Sequence, residues 1–250
     1  MQWHHFFLSP DCIKGDLVHF PDKIGMQIQR VLRLRSEDVV VVLDNQGGQF
    51  KVELVDVEGE MTTGKIMERV AENREPAVQV TLCVSLTQRE KFELILQKAT
   101  EVGVVRVQPF VSRYSLARDT TIKEKRRIRW EDILREAAEQ SGRLRIPVLE
   151  EVETLPKMVE GCMREQDGCL MAWVGEKSTT LKKALREYAR SGGKAARIAI
   201  FIGPEGGFAQ QEVDLLTEKG VQAVSLGMRV MRMETAAIVA PALILHELEG

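Results

Sequence analysis

The chain has 250 residues, of which 44% are hydrophobic and 29% charged, and its formal net charge is −2. These values are typical of a globular protein with one large or two small domains, and they exclude an intrinsically disordered chain. The longest nearly uninterrupted apolar stretch, residues 236–245, is about half as long as a membrane span, and no signal-peptide pattern opens the sequence. The four cysteines form no CxxC pair, so we expect reduced thiols, a cytoplasmic protein and no metal site.

The first seventy or so residues have the pattern of β-structure. Residues 39–43 form a continuous apolar run of strand length, and residues 44–48 (DNQGG) give a strong turn signal. Residues 49–57 then alternate roughly between apolar and polar side chains, which predicts a hairpin within a small barrel or sandwich. The composition changes near residues 71–76, so we expect one domain over 1–72 and a second over 73–250.

From Val78 onwards the pattern alternates between strands and helices. The apolar runs predict strands over 78–85, 104–110, 169–174, 197–202 and 221–226. The helical patterns cover 88–102, 123–140, 178–190, 210–219 and 234–248, with Ser178 as the expected cap of the third. This alternation is typical of an α/β domain with a mainly parallel sheet.

A basic zone lies in the middle of the chain. Residues 111–145 contain 10 Lys or Arg against 6 Asp or Glu, a larger excess than the whole-chain charge suggests. Such a zone suits contact with phosphates, and a solvated, salt-bridged helical face is the alternative.

Two glycine-containing loops near the C-terminus are the most informative features. Residues 203–207 (GPEGG) follow a predicted buried strand, and Gly227 opens a second loop that contains Arg229 and Arg232. Neither loop is a phosphate-binding P-loop or a dinucleotide fingerprint, because the Lys-Ser/Thr and GxGxxG patterns are missing. Loops at the ends of adjacent parallel strands indicate one ligand pocket; plain strand-to-helix turns, with solvated arginines and a capping Glu234, are the alternative.

These loops closely resemble the C-terminal motifs of the RsmE family. The two matching strings are FIGPEGGF at residues 201–208 and LGxRxxRxETA at residues 226–236. Further segments that match in the expected order are residues 30–34, 94–103, Trp130 and 136–143. The family consists of SPOUT-class methyltransferases that act on N3 of a uridine in bacterial small-subunit ribosomal RNA.

The resemblance implies a fold, a cofactor and an assembly. We expect a SPOUT-type trefoil-knotted α/β domain at the C-terminus, a small PUA-like β-barrel domain that binds RNA at the N-terminus, and a homodimer. The resemblance also implies S-adenosyl-L-methionine in the knot. The expected cofactor-binding residues are Trp173, Val174, Gly175, Gly203, Pro204, Glu205, Gly206, Leu226, Gly227, Met228, Val230, Met231, Thr235 and Ala236. For Trp173 a place in the core is an equal alternative.

The resemblance also assigns residues to chemistry and to RNA. We expect Arg229 and Arg232, with Arg143, to hold a phosphate or to stabilise a uridine anion. Glu205 and Glu234 are the carboxylates in the motifs that could accept the N3 proton, and we name Glu234 with the two arginines as catalytic. The expected contacts to 16S rRNA are Arg30, Arg33, Arg126, Arg127, Gln140, Ser141 and Arg143. No base is needed if the arginines lower the pKa of N3 enough.

Two other functions remain open from the sequence. A knotted methyltransferase could act on another RNA such as tRNA. Alternatively, the chain could be a non-catalytic RNA-binding module in which the glycine loops are purely structural.

Overall fold

The computed structural model describes residues 3–57, 61–116, 119–190 and 197–249. The chain divides into two compact units. The first contains residues 1–75 and 138–146, and the second contains residues 76–137 and 147–250. The first unit therefore includes a short segment from the middle of the chain, which the sequence pattern did not indicate. Within the described ranges, no helix is long and apolar enough to span a membrane.

The first unit is built on a mixed six-stranded sheet. Its strands are β1 (His5–Phe7), β2 (Ile13–Lys14), β3 (Leu17–His19), β4 (Val39–Leu43), β5 (Gln49–Asp56) and β6 (Thr63–Val70). They are ordered β1-β4-β5-β6-β3-β2, and β1 pairs with β4 in parallel while the other pairs are antiparallel. Helix α1 (Asp22–Met26) continues into a π-helical segment, Gln27–Leu32, which ends at Arg33 in the left-handed region with φ 56°.

The predicted hairpin is confirmed as β4 and β5. Asp44 accepts hydrogen bonds on one carboxylate oxygen from the backbone N–H groups of Gln46 (2.7 Å) and Gly48 (2.8 Å). Asn45 and Gly47 adopt positive φ angles of 59° and 106°, which asparagine and glycine tolerate best. The turn therefore forms because its residue types match the backbone that it needs.

The segment 138–146 packs against β1 and β4. Ala138 and Leu144 are buried with Phe7, Val41 and Leu43 in one apolar cluster. The Glu139 carboxylate accepts a hydrogen bond from the Phe7 backbone N–H at 2.9 Å.

A buried ion pair also fixes this segment. The Arg143 guanidinium, whose side chain is 5% exposed, lies 2.7 Å from the Glu75 carboxylate. The other Glu75 oxygen accepts hydrogen bonds from the backbone N–H groups of Leu144 (2.8 Å) and Arg145 (3.1 Å). Glu75 therefore holds both the side chain and the backbone of the segment.

The second unit is an α/β unit with a parallel seven-stranded sheet, as the alternating pattern predicted. Its strands are β7 (Gln79–Ser85), β8 (Arg106–Val111), β9 (Val148–Leu149), β10 (Glu153–Thr154), β11 (Gly168–Ala172), β12 (Arg197–Ile202) and β13 (Gln222–Val224). The order is β10-β8-β7-β12-β11-β13, with β9 paired to β8. Its helices are α2 (Arg89–Val102), α3 (Glu124–Ser141, of which the last four residues belong to the first unit), α4 (Leu155–Glu165), α5 (Leu181–Arg190), α6 (Gln210–Glu218) and α7 (Met233–Glu249).

Helix α5 begins later than expected, so Ser178 does not cap it. The Ser178 hydroxyl donates to the Glu176 carboxylate at 2.6 Å instead. The side chain of Thr180, next to the first residue of α5, accepts a hydrogen bond from the Lys183 backbone N–H at 3.2 Å. The same Glu176 oxygen accepts hydrogen bonds from the backbone N–H groups of Ser178 and Thr179, which holds this segment in a loop before the helix begins.

The strand register sets the position of the site. Ala172, the last residue of β11, pairs with Ile202 of β12 on one side and with Val224 of β13 on the other. The chain segments that follow these three strands therefore leave the sheet at the same edge. Both glycine loops lie there.

The ion pair of Glu75 leads to a stability prediction. Glu75→Ala removes the carboxylate that faces a buried guanidinium, and breaking a buried pair in this way costs about 3 kcal/mol in the free energy of unfolding. We expect a loss of that size for the first unit, measured by urea denaturation. The control Glu72→Ala removes an exposed partner of Arg74, and we expect no measurable change. Equal effects of the two substitutions would contradict the role of Glu75.

Candidate active site

A cavity of about 980 Å³ lies at the carboxyl edge of β11, β12 and β13. Its walls come from three loops, one after each strand, and from the start of α7; Lys91 of α2 completes the lining. The volume is at the upper end of the range for ligand pockets. It has room for two reactants of small-molecule size.

The cavity brings together most of the residues that the sequence singled out. All three expected catalytic residues, Arg229, Arg232 and Glu234, line it. The expected cofactor-binding residues that line it are Trp173, Val174, Gly203, Pro204, Glu205, Gly206, Leu226, Gly227, Met228, Val230, Met231 and Ala236. Gly175 and Thr235 belong to the same segments but are not part of the lining. Trp173 is partly buried against the core as well, so it serves both packing and the cavity wall.

The first glycine loop is shaped by Phe208. A Cβ atom added to Gly203 would lie 3.1 Å from the ring of Phe208, closer than most side chains tolerate. That ring stacks in parallel on Phe110, with 6.3 Å between the centroids. Gly207 closes the turn with φ 73° and donates its N–H to the Pro204 carbonyl at 2.9 Å. Position 203 requires glycine because the loop turns directly over the ring of Phe208.

The second glycine loop presents its side chains to solvent and to the cavity. Gly227 has φ 122°, a conformation that L-residues rarely adopt, and its N–H donates to the Ser225 hydroxyl at 3.2 Å. Met228 is 99% exposed and Val230 is 74% exposed, so apolar surface borders the cavity. Arg229 and Arg232 are exposed, and within the described ranges neither makes an ion pair.

Glu205 is held by two donors from α2 and the segment before it. One carboxylate oxygen accepts hydrogen bonds from the Thr87 hydroxyl and from the Lys91 ammonium, the latter at 2.9 Å. Partial burial by itself raises the pKa of Glu205, but these two hydrogen bonds outweigh it, so the pKa lies below its usual value. Glu205 is therefore a fixed negative charge at the cavity and a weak proton acceptor.

Glu234 is in a different situation. Its Oε2 atom is buried and, among the residues that the structure describes, has no hydrogen-bond partner. A buried acceptor without a donor is costly unless something else satisfies it. Since Glu234 lines the cavity, a donor on a bound molecule can do so.

The expected RNA-binding residues are spread over both units. In the first unit, Arg30 and Arg33 are exposed, and Gln140 is exposed near the end of α3. The Ser141 hydroxyl is turned towards the Ala138 carbonyl at 3.4 Å. Arg143 is buried against Glu75 and is not part of the cavity lining, so we leave it out of the proposed RNA contacts.

The two remaining arginines lie on α3 and differ from each other. Arg126 lies over the Trp130 ring at 4.7 Å from its centroid, and burial followed by the charge of Arg89 lowers its pKa. Arg127 is bound to two carboxylates, Glu131 at 3.0 Å and Glu151 at 2.6 Å. Of these two arginines, Arg126 is the one whose charge is not neutralised by an ion pair in the described ranges.

Lys91 and Thr87 are site residues that the sequence reasoning missed. Both follow the carboxyl end of β7, and β7 pairs with β12, the strand that leads into the first glycine loop. The rule that ligands bind at the carboxyl ends of parallel strands could have found them.

The contacts of Glu205 lead to a titration prediction. Lys91→Met removes one donor, so we expect the pKa of Glu205 to rise towards its usual value, as measured by NMR titration of the carboxyl carbon. Because its pKa is lowered in the folded state, Glu205 stabilises the fold above its unfolded pKa, and this contribution is lost as the pH falls through the folded pKa. The variant should therefore lose less stability on acidification than the parent protein.

Lys98→Met on the same helix is the matched control, because Lys98 pairs with Glu101 at 2.8 Å. It should leave the pKa of Glu205 unchanged. A Glu205 pKa that does not move in Lys91→Met would show that Lys91 has no part in holding the charge.

Comparison with known proteins identifies the family. A model of the RNA methyltransferase domain family matches residues 73–245. The chain is 31% identical to ribosomal RNA small subunit methyltransferase E of Bacillus subtilis, over 95% of this chain and 90% of that protein. It is 35% identical to the protein of the same name from Synechocystis, over 89% and 71%. The crystal structure of ribosomal RNA small subunit methyltransferase E from Neisseria gonorrhoeae, bound to S-adenosyl methionine, superimposes with a TM-score of 0.83 and 27% identity over 98% of both chains. The chain belongs to the ribosomal RNA small subunit methyltransferase E family, the family that its two glycine loops resemble.

Proposed function

We propose that this protein transfers the methyl group of S-adenosyl-L-methionine to N3 of a uridine in small-subunit (16S) ribosomal RNA. The observation that carries the proposal is the cavity formed by the two glycine loops. Two arginines without an ion pair to any described residue, and two carboxylates in different environments, line this one space. Membership of the family gives the reaction class. The relative from Neisseria gonorrhoeae was solved with the methyl donor bound.

The residues of the cavity fit this cofactor. The adenosine part offers a flat apolar face and polar edges, and the loops offer apolar side chains (Met228, Val230) beside a turn with accessible backbone at Gly227. We assign the expected cofactor-binding set to this role, with Gly175 and Thr235 acting from outside the lining. When bound, the cofactor supplies a methyl group on a sulfonium, which leaves readily. The protein has to position the acceptor and assist its deprotonation.

Arg229 and Arg232 are the groups that favour an anion. Their guanidinium groups can bind a phosphate or a developing uridine anion in a bidentate manner. Since neither arginine is paired with a carboxylate within the described ranges, the full charge is available to the substrate. A nearby positive charge lowers the pKa of N3 and so promotes its deprotonation.

Of the two carboxylates, Glu234 is the better acceptor for the N3 proton. Glu205 is already bonded to Thr87 and Lys91, and its lowered pKa makes it a weak base. Glu234 has a buried oxygen to which no described residue donates a hydrogen bond. We assign Glu234 as the group that accepts the N3 proton. We assign Glu205 to holding the entrance of the cavity in place.

The α3 face supplies contacts to the RNA backbone. Helices α2 and α3 pack through Phe92 and Trp130, whose ring centroids are 4.5 Å apart. This contact brings Arg126 near Arg89, whose guanidinium is paired with Glu93 at 2.7 Å. Arg126 is therefore the cation of this face that we assign to phosphate, with an affinity that falls as salt rises.

Other features belong to the same proposal. We infer that the second unit carries the SPOUT trefoil knot, as in the family that the motifs resemble. We infer a PUA-like barrel in residues 1–72, with Arg30 and Arg33 as RNA contacts, and a homodimer as in the family that the motifs resemble. A ribosomal substrate places the enzyme in the cytoplasm.

Backbone strain provides a test of the cofactor site. Gly227→Ala has space for the added methyl group but not the backbone freedom for φ 122°, so the loop must rearrange. We expect the dissociation constant for S-adenosyl-L-methionine to rise about tenfold, as measured by calorimetry. The same substitution at Gly161 on α4, where the methyl also meets nothing, should leave the constant unchanged. Unaltered cofactor binding in Gly227→Ala would contradict the assigned loop.

The reaction itself is tested with small ribosomal subunits that lack the modification. Mass spectrometry of the nucleosides should show 3-methyluridine after reaction with the protein and cofactor. Arg232→Ala should bind the cofactor normally and lower the rate of methyl transfer about a hundredfold, the scale of losing one stabilising donor. Arg164→Ala, on the exposed side of α4, is the control and should retain the rate.

A different methylated nucleoside, or activity on tRNA alone, would favour the second enzyme hypothesis. Absence of cofactor binding by the folded protein would leave the non-catalytic RNA-binding module.

A further inference from the structure

A short loop after β8, residues 112–116, holds an exposed tyrosine beside the cavity. Tyr114 is 53% exposed. A Cβ atom added to Gly206 would lie 3.3 Å from Cβ and 3.6 Å from Cγ of Tyr114. Gly206 lines the cavity and Tyr114 does not, so the tyrosine lies just outside the edge of the cavity.

The loop that carries Tyr114 is fixed by hydrogen bonds on both sides of the tyrosine. The buried Ser115 hydroxyl lies 2.6 Å from the Ser85 hydroxyl and accepts a hydrogen bond from the Ser112 N–H at 2.8 Å. The Arg113 N–H, in turn, donates to the Glu212 carboxylate at 2.8 Å. Two buried hydroxyls and a carboxylate therefore hold both sides of Tyr114, although its own side chain is half in solvent.

This arrangement is not explained by packing. An exposed aromatic side chain on a fixed loop loses little conformational entropy when it binds a partner, since only two torsion angles remain to be ordered. The neighbouring Arg113 is exposed, its guanidinium is bonded to the neutral Gln211 carbonyl oxygen, and it makes no ion pair in the described ranges. An aromatic ring next to an unneutralised arginine is the pairing that binds single-stranded nucleic acid.

We infer that Tyr114 stacks against the base of the nucleotide next to the target uridine, and that Arg113 contacts the phosphate beside it. The inference rests on the proposed function. For N3 to reach the cavity, the uridine has to leave its stack, and the neighbouring base then loses a stacking partner. The Tyr114 ring lies at the edge of the cavity, where it can replace the lost partner.

The test compares two substitutions with different shapes at one position. Tyr114→Leu keeps apolar bulk but removes the aromatic face, and Tyr114→Phe keeps the face but removes the hydroxyl. We expect Tyr114→Leu to raise the KM for small ribosomal subunits on the order of tenfold, the scale of losing one base stack, with kcat changed less than about twofold. Tyr114→Phe should stay within about twofold of the parent KM. The control Val148→Ala, at another half-exposed site of the second unit, should leave the KM unchanged.

Cofactor titration of each variant separates stacking from damage to the loop. The dissociation constant for S-adenosyl-L-methionine should be unchanged in Tyr114→Leu. An unchanged KM in Tyr114→Leu, an equal rise in Tyr114→Phe, or weakened cofactor binding in Tyr114→Leu would each overturn the stacking role. These results are distinct from failure of the proposed function, in which the parent protein itself would form no 3-methyluridine and the inference would be overturned with it.

Discussion

The parallel pairing of β11 with both of its neighbours is the constraint on which the site depends. Ala172 lies opposite Ile202 and Val224, and these pairings set the exit points of three loops that are far apart in sequence. Strands β11 and β12 are buried on both faces, so a slip in register by one residue would exchange the side chains that pack on the two faces. The free energy that holds the core together therefore also holds the cavity in shape. No bond between the two glycine loops is needed.

This constraint explains why the shape of the cavity depends mainly on backbone conformation. Gly203 is needed because the chain turns over Phe208, and Gly227 because its φ angle lies in the left-handed half of the map. With the backbone fixed in this way, the side chains of the second loop are left exposed. Arg229 and Arg232 make no ion pair with the residues that the structure describes, whereas Glu205, on the other loop, is bonded to Lys91 and Thr87. One cavity thus contains cations available to a ligand and an anion that is already engaged.

Much of the second unit could be predicted because its signals are local. Apolar runs located the longer strands, and glycines located the loops, each within a few residues of the structure. What could not be predicted depends on pairing between distant residues. The contacts of Thr87 and Lys91 with Glu205 span 118 and 114 positions in the sequence. No local sequence pattern near these three residues indicates that they meet. Likewise, the sequence placed Arg143 in a basic zone, and its burial follows from Glu75, which is 68 positions away.

The basic zone shows why counting charges overstates a binding surface. In that zone Arg143 is paired with Glu75, and Arg127 is paired with Glu131 and Glu151. Each of these guanidinium groups has exchanged its solvation for a carboxylate, so binding a phosphate would first require breaking that pair. Arg126 lies over the Trp130 ring, a contact that leaves its positive charge in place, whereas the nearby Arg89 is itself paired with Glu93. In the basic zone, we therefore expect phosphate contacts from cations that folding has left without a carboxylate in the described ranges, such as Arg126 beside the contact of Phe92 with Trp130.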